Sequence, residues 1–253
     1  MASVAALQRM KPNGRKIVAA VVYDYQMAQV ADRAGVDIVS AGDSVGVTLW
    51  AQRRESDVTL EQMLLVCQAV RRGVARALVS CDVPMRELEA GDDAALRAAT
   101  RLARDGGADL VKIDAAVCSH DALRAVVHAG IPVWAQLGVA GDADAAGTAR
   151  LVDQARALEA AGASLLDFRH SGPTAGPAVV AAVTIPVIGG LGGGPWLDGR
   201  VRSMAAAIGY LASAIDDRAE RYANVGADAL NAIQMLCDDV RAGRPLRGEA
   251  PAK

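Results

Sequence analysis

The sequence predicts an α/β protein of the (β/α)8 TIM barrel class, folded as a single domain. Three observations predict it. A motif recurs in which a Gly closes a helix, a polar step follows, and a β-rich apolar run ends in a polar residue: A-G-V-D-I-V-S-A-G-D (34–43), G-G-A-D-L-V-K-I-D (106–114) and A-G-A-S-L-L-D-F-R (161–169). The runs are apolar throughout, and segments with apolar 3–4 spacing separate them, which is the pattern of parallel strands covered on both faces. Seven such runs, with an eighth unit near 200–211, suit a closed barrel better than an open sheet, and no linker interrupts them.

The elements follow in chain order. Residues 1–14 read as a helical extension ahead of the first strand, 17–22. Gly35, Gly107 and Gly162 suit the left-handed position that ends a helix. T-L-E-Q (59–62) resembles a capping box, and Met63, Leu64, Val66, Cys67 and Val70 continue it as an amphipathic helix. The next strand is 77–81, and segments 93–104, 121–129 and 147–161 read as helices. G-I-P-V-W-A-Q (130–136) and T-I-P-V-I-G-G (184–190) place Pro where a strand tolerates a missing N–H. Residues 201–214 read equally as helix or strand. Residues 217–242 read as a helix ending near Gly243, with a polar tail over 244–253.

Hydrophobic residues make up 52% of the 253 and aromatics only 3%, so the core is aliphatic. A net charge of -2 supplies no electrostatic footprint for nucleic acid or a membrane surface. Cys67, Cys81, Cys118 and Cys237 have no C-x-x-C spacing and read as reduced thiols. The N-terminus is too polar for a signal peptide, and no stretch has the length of a membrane span. A soluble cytoplasmic protein is expected.

In such barrels the chemistry sits at the C-terminal ends of the strands. Those ends carry Asp24, Asp43-Ser44, Asp82, Lys112 and Asp114, Gln136, then Asp167 and Arg169. Carboxylates crowded into a closed mouth repel and raise one another's pKa values, and a divalent cation resolves this. An all-oxygen set favours Mg²⁺ or Mn²⁺ over Zn²⁺. The competing reading makes each Asp the N-cap of the next helix, which suits Asp24 best. Lys112 and Asp114 are two residues apart and share a face. The loop G-G-L-G-G-G-P-W (189–196) suits either an anion cradle or a tight turn.

Several segments together resemble the ketopantoate hydroxymethyltransferase family of the phosphoenolpyruvate/pyruvate barrel superfamily: V-V-Y-D-Y-Q-M-A (21–28), A-G-D-S-V-G (41–46), C-D-V-P (81–84), G-A-D-L-V-K-I-D (107–114), I-P-V-I-G (185–189) and R-Y-A-N-V-G (221–226). The resemblance implies condensation of 3-methyl-2-oxobutanoate with a one-carbon unit from 5,10-methylenetetrahydrofolate or formaldehyde, by a homo-oligomer, a decamer in that family. Asp43 and Asp82 resemble its Mg²⁺ ligands, and Asp114 stands where a Glu joins through water. Ser44 and Lys112 resemble its contacts to the substrate carboxylate and keto oxygen. A cation on those oxygens acidifies the adjacent C–H, and the resulting enolate attacks the one-carbon electrophile.

The chain departs from that pattern where a general base is required. Arg169 falls on the family's base Glu, and a guanidinium stays protonated. Gln136 replaces a His and becomes a candidate substrate contact. Ala205-Ala206 replaces a His-Asp pair, D-D-R-A (216–219) replaces P-K-F-V, and the stretch 138–150 lacks the usual loop sequence. Strand alternation turns Asp167 and Arg169 into the barrel, and Phe168 and His170 toward the helices. Asp167 and Arg169 then form either a structural ion pair or a site in which Arg169 binds an anionic group and Asp167 or His170 moves protons. His120 and His128 read as helix-surface residues. The expected function is a Mg²⁺-dependent aldol-type enzyme acting on the enolate of a 2-oxo acid, with altered base and substrate. The alternatives are a C–C lyase or mutase of the superfamily, with Arg169 gripping an extra carboxylate or phosphonate, and a non-catalytic ligand-binding relative.

Overall fold

A computed structural model describes residues 3–138, 143–190 and 193–248. Its strands are β1 (Ile17–Val22), β2 (Ile38–Ala41), β3 (Leu78–Asp82), β4 (Leu110–Asp114), β5 (Val133–Leu137), β6 (Leu165–Phe168), β7 (Val187–Gly189) and β8 (Gly199–Ser203). They form one closed barrel in sequence order, each parallel to its predecessor. Both Pro residues of the I-P-V motifs stand just ahead of their strands, and their carbonyls accept from Val111 and Leu166, so the ladder begins despite the missing N–H. By contact clustering the chain divides into two compact units, Met1–Arg202 and Ser203–Lys253.

Within the first unit, alternation along the strands sorts side chains into the barrel. Ile17, Ile38, Leu78, Leu110, Trp134, Leu165 and Ile188 form a fully apolar lower layer. Leu7 and Met10 of the helix Val4–Met10 join it from below, so the N-terminal extension plugs the barrel floor. Lys11 fastens that plug: its Nζ donates to the carbonyls of Val180, Val183 and Ile185 at 2.8, 2.9 and 3.0 Å and pairs with Asp198 at 3.2 Å.

The helix Leu60–Gly73 opens with the capping box read from T-L-E-Q, Thr59 and Gln62 bonding reciprocally. Gly35, Gly107 and Gly162 adopt φ of 88°, 77° and 99°. Further helices run Asp92–Arg104, His120–His128 and Ala145–Ala160. Asp24 caps the helix Tyr25–Ala34, its Oδ1 accepting from the Met27 N–H. Cys67, Cys81 and Cys118 are buried, and all four cysteines are free thiols. Among the described residues no helix is long and apolar enough to cross a membrane.

Two expectations are corrected. Residues 201–214 are neither one strand nor one helix: β8 stops at Ser203, whose side chain caps a short helix, Met204–Ala207. The long C-terminal helix starts at Val225, not at 217, because Asn224 caps it by accepting from the Ala227 N–H. Within the second unit that helix exposes Leu230, Ile233, Leu236 and Val240, while its buried Asp239 pairs with Arg244 at 2.8 Å.

Candidate active site

One pleat above the apolar layer, on the same interior faces, the side chains become polar. Ile38 is followed by Ser40, Leu78 by Ser80 and Asp82, Leu110 by Lys112 and Asp114, Trp134 by Gln136, and Leu165 by Asp167. The rise of about 3.3 Å per residue puts the change only ~7 Å up the barrel.

Asp43 and Asp82 meet at the mouth. The Asp43 N–H donates to Asp82 Oδ2 at 3.3 Å, and the Asp43 carboxyl lies within hydrogen-bond reach of Asp82. Burial pushes the Asp82 carboxyl up to about 7 against the pull of Lys112, with the neighbouring Asp43 and Asp167 charges adding to the rise. Asp43 is also raised, by burial first and then by the Glu55 charge, against Lys112, Asp82 and Arg169. Asp82 Oδ1 is buried with no hydrogen-bond partner among the described residues. Gly42 keeps this corner open, since a Cβ there would stand 2.7 Å from Val21 Cγ1 and 3.7 Å from Asp82 Oδ2. Paired carboxylates with an unused oxygen and a vacated Cβ position fit a hard divalent cation, which often takes only one or two protein carboxylates and completes its shell with water and substrate oxygens.

The third predicted carboxylate is placed differently from its partners. Asp114 Oδ1 accepts from the Ala116 N–H at 2.9 Å and Oδ2 from Gln136 Nε2 at 3.1 Å. Among the described residues no group of three His, Cys, Asp or Glu side chains stands together as a metal cluster. The Asp43–Asp82 pair comes together, and Asp114 lies at the neighbouring strand end, joined to Gln136 instead. A cavity of about 180 Å³ opens beside that pair, lined by Ala115, Ala116, His120, Gln136, Gly138 and Gln154.

Lys112 is the central cation. Its Nζ stands 2.8 Å from Asp167 Oδ2 and 5.2 Å from the centroid of the Trp134 ring. Burial alone would lower its pKa, but Asp167, Asp82 and Asp43 raise it well above the ordinary lysine range, so it stays charged. The ammonium thus occupies Asp167 Oδ2, while Asp167 Oδ1 is buried with no partner among the described residues.

This corrects the expected Asp167–Arg169 pair: Asp167 pairs with Lys112. The reason is that β6 ends at Phe168, so residues 169–170 lie in a turn and strand alternation no longer sets their direction. Arg169 is half-buried, its Nε unpartnered among the described residues, and its charge reaches Asp43. His170 is exposed in the left-handed region, φ 48°, outside the buried charge cluster. Ser44 is joined to Tyr23, their hydroxyls 3.0 Å apart. His120 and His128 are exposed, as expected of helix-surface residues. The Gly-rich loop after β7 and the loop after β5 fall partly outside the described residues, at 191–192 and 139–142.

Two residues of the mouth escaped the sequence reading. Tyr23 lies within a quoted segment, two residues past Val21 on the interior face, and that alternation was the available signal. Glu55 raises Asp43 from a 3-10 turn, Glu55–Asp57, that carries no periodicity to betray its direction.

The family profile described as "Ketopantoate hydroxymethyltransferase" matches residues 1–245. The 3-methyl-2-oxobutanoate hydroxymethyltransferase of Alkalilimnicola ehrlichii is 35% identical over 95% of this chain and 91% of its own length. That of Oleidesulfovibrio alaskensis is 32% identical, over 96% and 88%. Among solved structures, a 2,3-dimethylmalate lyase of the PEP mutase/isocitrate lyase superfamily superposes with a TM-score of 0.67 at 18% identity, covering 99% of this chain and 93% of that one. A phosphonopyruvate hydrolase in complex with oxalate and Mg²⁺ superposes at 0.65 and 14%, covering 100% and 92%. At such identities these two establish likeness of fold.

Proposed function

This chain belongs to the ketopantoate hydroxymethyltransferase family, and from that premise we propose that it is a divalent-cation-dependent enzyme that forms C–C bonds through the enolate of a 2-oxo acid, with a changed base and a changed substrate. The observation that carries the reading is the Asp43–Asp82 pair, with its unpartnered Asp82 oxygen, beside the permanently charged Lys112.

Asp43 and Asp82 would hold Mg²⁺ or Mn²⁺, with Asp114 contributing through water. When bound, the cation supplies Lewis acidity toward the keto oxygen of the substrate. Lys112 presents its ammonium to the same developing negative charge, from a site too dry to screen it. Ser44 and Gln136 orient the substrate. Arg169 offers a planar fork to the substrate's carboxylate, which accounts for a buried Nε without a partner among the described residues. The enolate then adds to a one-carbon electrophile, 5,10-methylenetetrahydrofolate or formaldehyde. A homo-oligomer belongs to the same reading.

The test is proton exchange. The protein with Mg²⁺ and a panel of 2-oxo acids in D₂O, followed by NMR, exchanges the C3 protons of its substrate. Adding formaldehyde then yields a hydroxymethylated product. Asp82→Ala abolishes both. Mg²⁺ binding without exchange of any acid counts against the reading. Because Arg169 could equally grip a second anionic group, a dicarboxylic 2-oxo acid that is cleaved in the same tubes would favour a lyase instead.

A further inference from the structure

Resting on the enolate reading, one question stays open within this mouth, namely where the C3 proton goes. We propose that Asp167 is its acceptor. The ionisable groups around the site divide by what they already do. Asp43 and Asp82 are the cation's ligands. Lys112 and Arg169 remain protonated, Lys112 because three carboxylates surround it and Arg169 because a guanidinium does not deprotonate. Asp114 has committed both oxygens, to the Ala116 N–H and to Gln136. His170 is exposed in its turn, and Glu55 is exposed on the rim.

Asp167 is different in kind. It is 0% exposed, faces the barrel interior, its Oδ2 meets the Lys112 ammonium, and its Oδ1 has no partner among the described residues. A second buried aspartate shows what a purely structural carboxylate looks like here. Asp32, 5% exposed, accepts from the Arg76 and Ala77 N–H groups at 3.0 and 2.8 Å. Native chains rarely leave a buried carboxylate with free lone pairs, and an exception calls for a functional account. Lys112 Nζ, 2.8 Å from Asp167 Oδ2, stands as the opposite charge and leaves Oδ1 without a partner among the described residues.

In the step itself the C3–H bond breaks and the proton passes to an Asp167 oxygen. The C–H electron pair becomes the C2–C3 π bond, and the C2–O π pair moves onto oxygen, facing the Lys112 ammonium. In D₂O the carboxylic acid exchanges with solvent and returns deuterium to C3.

The experiment compares C3–H exchange of whichever 2-oxo acid the wild type turns over with Mg²⁺, in Asp167→Asn, Asp167→Glu and His170→Gln. Oxalate binding with Mg²⁺ by calorimetry, and circular dichroism, report folding and an intact site. Exchange falls by ~100-fold or more in Asp167→Asn, the lower range for losing a general base, while oxalate still binds. Asp167→Glu keeps the charge opposite Lys112 and so the fold, but displaces the oxygens by a methylene and slows exchange by about tenfold or more. His170→Gln, exposed in its turn outside the charge cluster, exchanges at the wild-type rate. Wild-type exchange in folded Asp167→Asn, or in Asp167→Glu should the Asn variant not fold, overturns the proposal, as does exchange lost in His170→Gln alone. These outcomes leave the enolate reading standing. A wild type that binds Mg²⁺ and exchanges no acid removes that reading and the proposal with it.

Discussion

The lower and upper layers of the barrel interior are built by the same strands, on the same faces, two residues apart, yet they obey opposite rules. Below, Ile17, Ile38, Leu78, Leu110, Trp134, Leu165 and Ile188 close on one another and on Leu7 and Met10, leaving little for solvent to reach. Above, Ser80 Oγ, Asp82 Oδ1, Asp167 Oδ1 and Arg169 Nε are buried without hydrogen-bond partners among the described residues. An unmet buried polar group costs about 1–3 kcal/mol, so the upper layer spends stability that the lower layer supplies through apolar burial. The difference teaches that one set of strands can build a floor closed by apolar contact and, one pleat higher, a mouth whose polar groups lack partners among the described residues.

Four substitutions probe that contrast, in decreasing order of effect. Lys112→Met strips the upper layer of its central cation and leaves Asp167 buried and uncompensated. Urea unfolding should show a loss of about 3–5 kcal/mol, and a loss below ~1 kcal/mol would mean that the layer is solvated rather than paired. Leu165→Ala opens a cavity one pleat lower, costing about 2–5 kcal/mol, while Mg²⁺-dependent oxalate binding stays at the wild-type level. If binding fell as well, the two layers would not be separable.

Asp32→Asn tests a carboxylate outside the barrel interior. Burial alone would raise its pKa, but the Ala77 and Arg76 N–H groups and the Arg76 charge outweigh that and hold it below the usual range. A depressed folded-state pKa contributes stability above the unfolded value and loses it as pH falls through the folded one. The variant should therefore be about 1–3 kcal/mol less stable than wild type at neutral pH, with the gap closing in acid, below the ordinary Asp range. A gap that widened there would reverse the assigned sign. Thr59→Ala, at the capping box of the helix Leu60–Gly73, is the mildest change. It should cost about 1 kcal/mol in thermal or urea unfolding and leave exchange activity unchanged.

Much of the architecture was legible in the chain. Continuous apolar runs after Gly35, Gly107 and Gly162 marked three strands because a left-handed helix end is a local property that Gly satisfies best. The capping box at Thr59 was legible for the same reason. The region after β8 was not, since an Ala-rich stretch suits helix and strand alike and Ser203 decides the change by a single side-chain bond to the Ala206 N–H. The start of the final helix was misread by eight residues, because the polar composition of 217–224 does not distinguish a loop from an exposed helix.

The chemistry divides along the same line. By itself the sequence placed Asp43, Asp82, Lys112, Asp114, Gln136 and Asp167 at strand ends, with alternation pairing Lys112 and Asp114 on one face, and left each Asp open to a helix-capping role. Only the tertiary structure decided who faces whom. It joined Asp114 to Gln136 and Lys112 to Asp167, turned His170 out, and left Arg169 free of the partner two residues before it. The Asp114–Gln136 pairing rests on the β4–β5 register, the Lys112–Asp167 pairing spans the non-adjacent strands β4 and β6, and Arg169 turns on where β6 stops; no local spacing encodes these.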